Sequence, residues 1–227
     1  MGFTPPAWLE RSIAARTEFV DQQVTTALAA GVRQVVICGA GLDDRALRFR
    51  TEGVRFFEVD HPATQADKRR RLRELGAEAD GPILIPCDLQ VAPVAAALAA
   101  AGHDPAQPTL FLCEGLLIYL DLVACERLLS DLAACASPGS TLAVTLSTYA
   151  SQRSAAEVTA DANARRRTGA AEPWRTILPV GEHLDLLAMA GWVVAASADS
   201  PSAGGDVSDG RQSLLVTARP ANDEDHG

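Results

Sequence analysis

The chain has 227 residues, 48% of them apolar and 22% charged, with a formal net charge of −9. That length suits one domain with a full core, and ordinary hydrophobicity excludes a chain disordered over most of its length. The acidic balance excludes a sequence-independent grip on nucleic acid, whose phosphates are held mainly by lysine and arginine. Met1 to Arg11 lacks the basic and apolar regions of an export signal, and the longest apolar run, Val94 to Ala101, is far shorter than the ~20 residues that cross a bilayer. A cytoplasmic protein is expected.

Short β-branched runs alternate with longer helical patterns, the signature of βαβ units around a mainly parallel sheet. The period predicts a helix from Ser12 to Ala30, stopped at Gly31, and a strand over Gln34 to Cys38. A second strand follows from Arg55 to Val59, a charged helix from His61 to Leu75, and a third strand from Pro82 to Pro86. Val94 to Ala101 reads as an alanine-rich helix and Thr109 to Cys113 as a fourth strand. Asp121 is placed to cap a helix running to Cys135, and a fifth strand spans Thr141 to Leu146. Ser147 to Pro179 breaks the rhythm. It is polar and arginine-bearing, with a helix expected from Ala155 to Arg167, and reads as a lid or acceptor insertion over 147–180. A helix from Glu182 to Ala190 precedes strands Trp192 to Ala198 and Ser213 to Ala218, an antiparallel hairpin closing the sheet edge. The expected fold is α/β and Rossmann-like, with seven mainly parallel strands and helices on both faces. One domain over 1–219 is followed by an acidic tail, 220–227, expected to be mobile. Five cysteines, Cys38, Cys87, Cys113, Cys125 and Cys135, lack CxxC spacing and are expected to be reduced, buried thiols with no metal.

Ligands of open α/β sheets bind beyond the carboxyl ends of the strands, near the switch point of the winding order. Those ends carry the turn Gly39-Ala40-Gly41-Leu42-Asp43-Asp44, then Asp60, Asp88 and Glu114. The dinucleotide fingerprint places a third glycine where Asp44 stands, and a carboxylate there opposes a pyrophosphate at the helix N-terminus. Asp60 suits the acid that accepts hydrogen bonds from an adenosine ribose, and equally a helix cap; Asp88, a strand-end acid, could equally be an N-cap. A cluster of acids fits S-adenosylmethionine, which carries a sulfonium and no phosphate, better than a nucleotide phosphate.

Four segments stand in register: Val35-Val36-Ile37-Cys38-Gly39-Ala40-Gly41-Leu42-Asp43 with Arg45; Phe57-Glu58-Val59-Asp60-His61-Pro62 with Lys68; Pro86-Cys87-Asp88-Leu89; and Glu114-Gly115-Leu116-Leu117-Ile118-Tyr119-Leu120. In this order they resemble the leucine carboxyl methyltransferase family, which includes tetracenomycin-type polyketide carboxyl O-methyltransferases. The resemblance spans roughly Arg16 to Leu146, with a weaker echo at Glu172-Pro173 and Gly191-Trp192. It implies a class I S-adenosylmethionine-dependent methyltransferase fold. By the same resemblance Arg16 holds the methionine carboxylate, Gly39, Ala40 and Gly41 line the cofactor, Asp60 with His61 meets the ribose, Asp88 and Leu89 flank the adenine, and Glu114 faces the amino-acid end. Lys68, the single lysine of the chain, falls where the family carries one. Asp44 departs from the family's threonine, Leu47-Arg48-Phe49 from its Tyr-Arg-Leu, and the short stretch before the first strand lacks a further cofactor lysine.

Methyl transfer is an in-line displacement that needs alignment and exclusion of water above all. A carboxylate acceptor is already ionised at neutral pH and needs no base. Tyr119, Trp174 and Arg175 are candidates to position the acceptor, with Arg165, Arg166 and Arg167 as further cations. A hydroxyl acceptor calls for a base, for which His61 and His183 are available. Trp174 reads either as an acceptor wall or as an anchor for the insertion. The expected activity is O-methylation of a small molecule in specialised metabolism, with S-adenosylhomocysteine as product. The alternatives are a methyltransferase fold that binds without catalysis and, opposed by Asp44, a nicotinamide oxidoreductase.

Overall fold

A computed structural model describes residues 7–79, 81–149, 156, 173–199 and 211–221. In chain order these form α1 (Ala7–Ala29), β1 (Gln34–Cys38), α2 (Arg45–Arg48), β2 (Arg55–Asp60), α3 (Pro62–Glu74), β3 (Ile83–Pro86), α4 (Val94–Ala100), β4 (Thr109–Cys113), α5 (Leu122–Ala134), β5 (Thr141–Tyr149), α6 (Val180–Met189), β6 (Trp192–Asp199) and β7 (Arg211–Pro220). A 3-10 turn at Leu117–Tyr119 follows β4. The seven strands form one sheet in the order β3-β2-β1-β4-β5-β7-β6, parallel from β3 through β5, with β7 antiparallel to both its neighbours.

Every residue of β1 and β4 is buried, because helices cover both faces and a central parallel strand then reads as an unbroken apolar run. Alternation along the strands sorts the side chains into two cores. Val35, Ile37, Phe56, Leu110 and Leu112 pack under Val20 and Val24 of α1. Val36, Phe57, Phe111 and Val144 pack under α4, α5 and α6. On that second face Trp192 donates its indole N–H to the Leu129 carbonyl at 2.9 Å and meets Phe111 edge-on.

The expected helices and strands recur with their ends shifted by a few residues, except where noted. α1 starts earlier, and the antiparallel hairpin closes the sheet edge with β7 between β5 and β6, so β6 is the edge strand. β5 continues to Tyr149, and Thr148 forms a parallel bridge with Leu178, so 147–149 and 178 belong to the sheet margin and not to an insertion. β7 likewise runs through Pro220, and the Ala221 N–H donates to the Gly191 carbonyl at 2.8 Å, so Pro220 and Ala221 belong to the sheet margin. Residues 222–227, Arg165 to Arg167 and, Ala156 apart, the helix expected over Ala155 to Arg167 lie outside the described residues. No described helix is long and apolar enough to cross a membrane. All five cysteines are free and buried, and burial pushes the Cys125 thiol up to about 12.

Candidate functional site

The winding order reverses between β1 and β4, and the crevice beyond their carboxyl ends is where a ligand is expected. A cavity of about 610 Å3 opens there, within the range of small-molecule sites. Its walls include Gly39, Gly41, Asp60, His61, Asp88, Leu89, Gln90, Gly115, Leu116, Tyr119 and Arg175.

The turn after β1 is tied down through backbone groups. Gly39 and Ala40 donate their N–H groups to the Val59 carbonyl, and Asp43 donates to Ala40. Asp60, at the end of β2, accepts the Gly41 N–H at 2.6 Å on one oxygen and the His61 N–H at 2.6 Å on the other. A carboxylate offers about four lone-pair sites, so Asp60 keeps acceptor capacity toward the cavity while it fixes the turn. The cap of α3 is His61, not Asp60: its Nδ1 accepts the Ala63 N–H. A neutral His61 therefore carries its proton on Nε2 and offers the cavity a donor.

Gly39 and Gly115 face each other across the switch point with φ of +67° and +62°. A Cβ on Gly39 would stand 2.8 Å from Leu116 Cδ1. Gly39→Ala is expected to cost about 1–2 kcal/mol from the left-handed backbone, with further loss from displacing Leu116 of the cavity wall. Thermal unfolding measures this; an unchanged melting temperature would contradict it.

Beyond β3, Asp88 caps a local turn by accepting the Gln90 N–H at 3.0 Å, while the start of α4 is capped by Asp131, whose carboxylate accepts the Val94 N–H at 2.7 Å. Arg127 donates to the Leu89 carbonyl, and the Gln90 amide clasps Asp121, donating through Nε2 to the carboxylate and accepting the Asp121 N–H. Asp121 caps α5 as expected, accepting the Ala124 N–H at 2.9 Å.

Beyond β4 lies an ion-pair cluster. Glu114 meets Arg45 Nη2 at 2.9 Å and Arg16 Nε at 3.8 Å. The Arg16 guanidinium comes within 3.9 Å of a Cβ built on Gly115, and its buried Nε has no hydrogen-bond partner among the described residues. Arg16 and Glu114 thus stand behind Gly115, adjoining the cavity without lining it. Ala40 is buried in the α1-side core. The carboxylate over the start of α2 belongs to Asp43, whose Oδ1 accepts the Arg45 N–H at 2.7 Å. Asp44, expected there, is exposed and pairs with Arg48.

On the far side, Tyr119 sits on the 3-10 turn and Arg175 on a segment stitched to it: the Arg175 N–H donates to the Ile118 carbonyl at 2.7 Å, and Thr176 Oγ1 to the Leu120 carbonyl at 2.6 Å. Trp174 packs with Tyr149, Ile177 and Ile118 in a small cluster, the anchoring placement, and is absent from the cavity lining. His183 is buried on α6 with Nε2 bonded to the Ser147 carbonyl, and burial lowers its pKa. It does not line the cavity and is unavailable there as a base. Arg45, Gln90, Gly115 and Leu116 were not singled out by sequence. Arg45, Gly115 and Leu116 stand inside motifs whose neighbours were, and Gln90 adjoins Asp88-Leu89.

Comparison with known proteins gives three results. The family model for leucine carboxyl methyltransferase matches residues 4–133, more than half of the chain. A protein of Frankia alni, provisionally named an S-adenosyl-L-methionine-dependent methyltransferase, is 47% identical over 145 residues, covering 62% of this chain and 50% of its own. The chain spans about half the length of the curated relatives it matches. Among solved structures, geranyl diphosphate C-methyltransferase of Streptomyces coelicolor, in complex with Mg2+, geranyl diphosphate and S-adenosyl-L-homocysteine, superposes with a TM-score of 0.61 at 18% identity, over 88% of this chain and 77% of that one. Magnesium protoporphyrin IX methyltransferase of Synechocystis PCC 6803 superposes with a TM-score of 0.59 at 14% identity, over 96% and 89%. At these identities the likeness is one of fold.

Proposed function

The chain belongs to the leucine carboxyl methyltransferase family, and on that premise we propose that it is an S-adenosylmethionine-dependent O-methyltransferase acting on a small-molecule carboxylate. The observation that carries this reading is the switch-point cavity, lined by Asp60 and Asp88 and backed at Gly115 by the guanidinium of Arg16. The Arg16 guanidinium, beside Gly115 at the margin of the cavity, is a planar cation that suits the α-carboxylate of the cofactor. Asp60 has acceptor capacity left for ribose hydroxyls, Asp88 and Leu89 stand where the adenine belongs, and Glu114 suits the ammonium. The backbone of Gly39, Ala40 and Gly41 forms the turn against which the cofactor rests. A nicotinamide dinucleotide fits poorly, because α2 is four residues long and the Asp43 carboxylate already occupies its start.

Bound S-adenosylmethionine supplies a methyl carbon activated by the sulfonium. The protein's part is to hold an acceptor oxygen in line and exclude water. Arg175 supplies a cation, and Tyr119 a hydroxyl, on the wall where the acceptor enters. Carboxylates are ionised at neutral pH, which suits a site where His61 presents a donor and His183 is remote. Five free thiols fit a reducing compartment, which supports a cytoplasmic location.

Arg175→Ala is expected to raise the KM of a carboxylate acceptor about 10-fold, the lower end for a charge-assisted hydrogen bond, with little change in kcat. A labelled methyl donor and a panel of aromatic and aliphatic carboxylic acids provide the assay. Acceptor KM unchanged by the substitution would contradict the role of Arg175, and absence of turnover with any acid or phenol would favour a binding protein.

A further inference from the structure

Arg45 does not line the cavity, yet its three guanidinium nitrogens meet three carboxylates from three parts of the chain. Nε pairs with Asp21 of α1 at 2.6 Å, Nη1 with Asp43 of the glycine turn, and Nη2 with Glu114 beyond β4 at 2.9 Å. The side chain is 6% exposed. A guanidinium is a rigid planar fork, so three simultaneous pairs fix the carboxylates relative to one another. Glu114 is shared: Oε2 faces Arg45, while Oε1 faces Arg16 Nε at 3.8 Å. Asp21 lies on the same helix as Arg16, so the pair that anchors Asp21 also sets how far α1 holds Arg16 from Gly115.

We propose that Arg45 is a positioning residue for the amino-acid end of the cofactor site. By orienting Glu114 and, through Asp21, helix α1, it sets one anion and one cation side by side, an arrangement complementary to a ligand with adjacent ammonium and carboxylate groups. The inference rests on the cofactor reading above and adds a residue that makes no contact with the cavity. The adenosine half is less dependent on it: Asp88 and Leu89 are held by other bonds, to Gln90 and Arg127, and Asp60 meets Arg45 only indirectly, through the turn that holds Gly41.

The test compares two probes by calorimetry, S-adenosylhomocysteine and 5′-methylthioadenosine, which shares the adenosine and lacks the amino-acid group. Arg45→Lys keeps the charge and loses the fork. Asp21→Asn weakens the ties of α1 to both Arg45 and Arg48 and leaves the Arg45 pairs with Asp43 and Glu114. Arg45→Lys is expected to weaken S-adenosylhomocysteine about 10-fold or more and Asp21→Asn by about 3-fold or more, with methylthioadenosine affinity unchanged in both. If Arg45→Lys fails to fold, Asp21→Asn decides alone. Equal losses for the two probes, or no loss for either, would overturn the proposal. Wild-type protein that binds neither probe would overturn the cofactor reading itself, and this inference with it.

Discussion

Lys68→Met is expected to destabilise the protein by about 3–5 kcal/mol at pH 8, the cost of leaving a buried charge without its partner, and by much less at pH 5. Glu58 lies in the middle of β2 at 0% exposure, and Lys68 of α3 reaches it while donating to the Asp43 carbonyl at 2.6 Å. Burial pushes the Glu58 carboxyl up to about 7 against the pull of Lys68. Its pKa is therefore higher folded than unfolded, so its contribution to stability is complete below about 4.5 and is lost as pH rises through about 7. Removing Lys68 removes the group that lowers this pKa, and the deficit of the variant should grow with pH over that window. Burial acts oppositely on His103 and His183, whose lowered values cost stability as pH falls below 6.5. Lys68→Arg keeps the charge but must fit a larger head into the same space, at about 1–3 kcal/mol. Urea unfolding at pH 5 and pH 8 measures all of this; a Lys68→Met deficit independent of pH would contradict the pairing.

Asp60→Ala is expected to weaken S-adenosylhomocysteine binding by about 100-fold or more. Charge-assisted hydrogen bonds contribute ~1.5–3 kcal/mol each, and a ribose offers two hydroxyls. The structure adds a second source of loss, since the same carboxylate holds the N–H groups of Gly41 and His61. Asp60→Asn is intermediate: it keeps one acceptor oxygen but sets an amide NH2 against the second backbone N–H, so about 10-fold or more weaker binding is expected, with a melting temperature lowered less than by Asp60→Ala. Affinity unaffected by either substitution would remove Asp60 from the site.

The strand ends were legible because central parallel strands are apolar runs that stop at glycines and acids, and those stops are where ligands bind. Gly39, Asp60 and Asp88 were found in this way and share one cavity with Leu89, which the family resemblance supplied. The four residues of α2 and the three of the 3-10 turn are too short to carry a period. Arg45 stood in the first motif, but its role did not follow from it: the partners that bury it come from α1 and from beyond β4, positions that only the folded sheet brings together. The Gln90–Asp121 clasp is likewise a contact between separate loops. Asp43 takes the place over α2 expected of Asp44, because adjacent carboxylates at a turn point in different directions, which composition does not specify.

Calorimetric titration of the wild-type chain with S-adenosylhomocysteine, beside the same titration with NAD, tests the central claim most directly. One molecule of S-adenosylhomocysteine per chain should bind, abolished or strongly weakened by Asp60→Ala, with no binding of NAD. Binding of NAD, or binding of S-adenosylhomocysteine that survives Asp60→Ala undiminished, would contradict the assignment of this cavity.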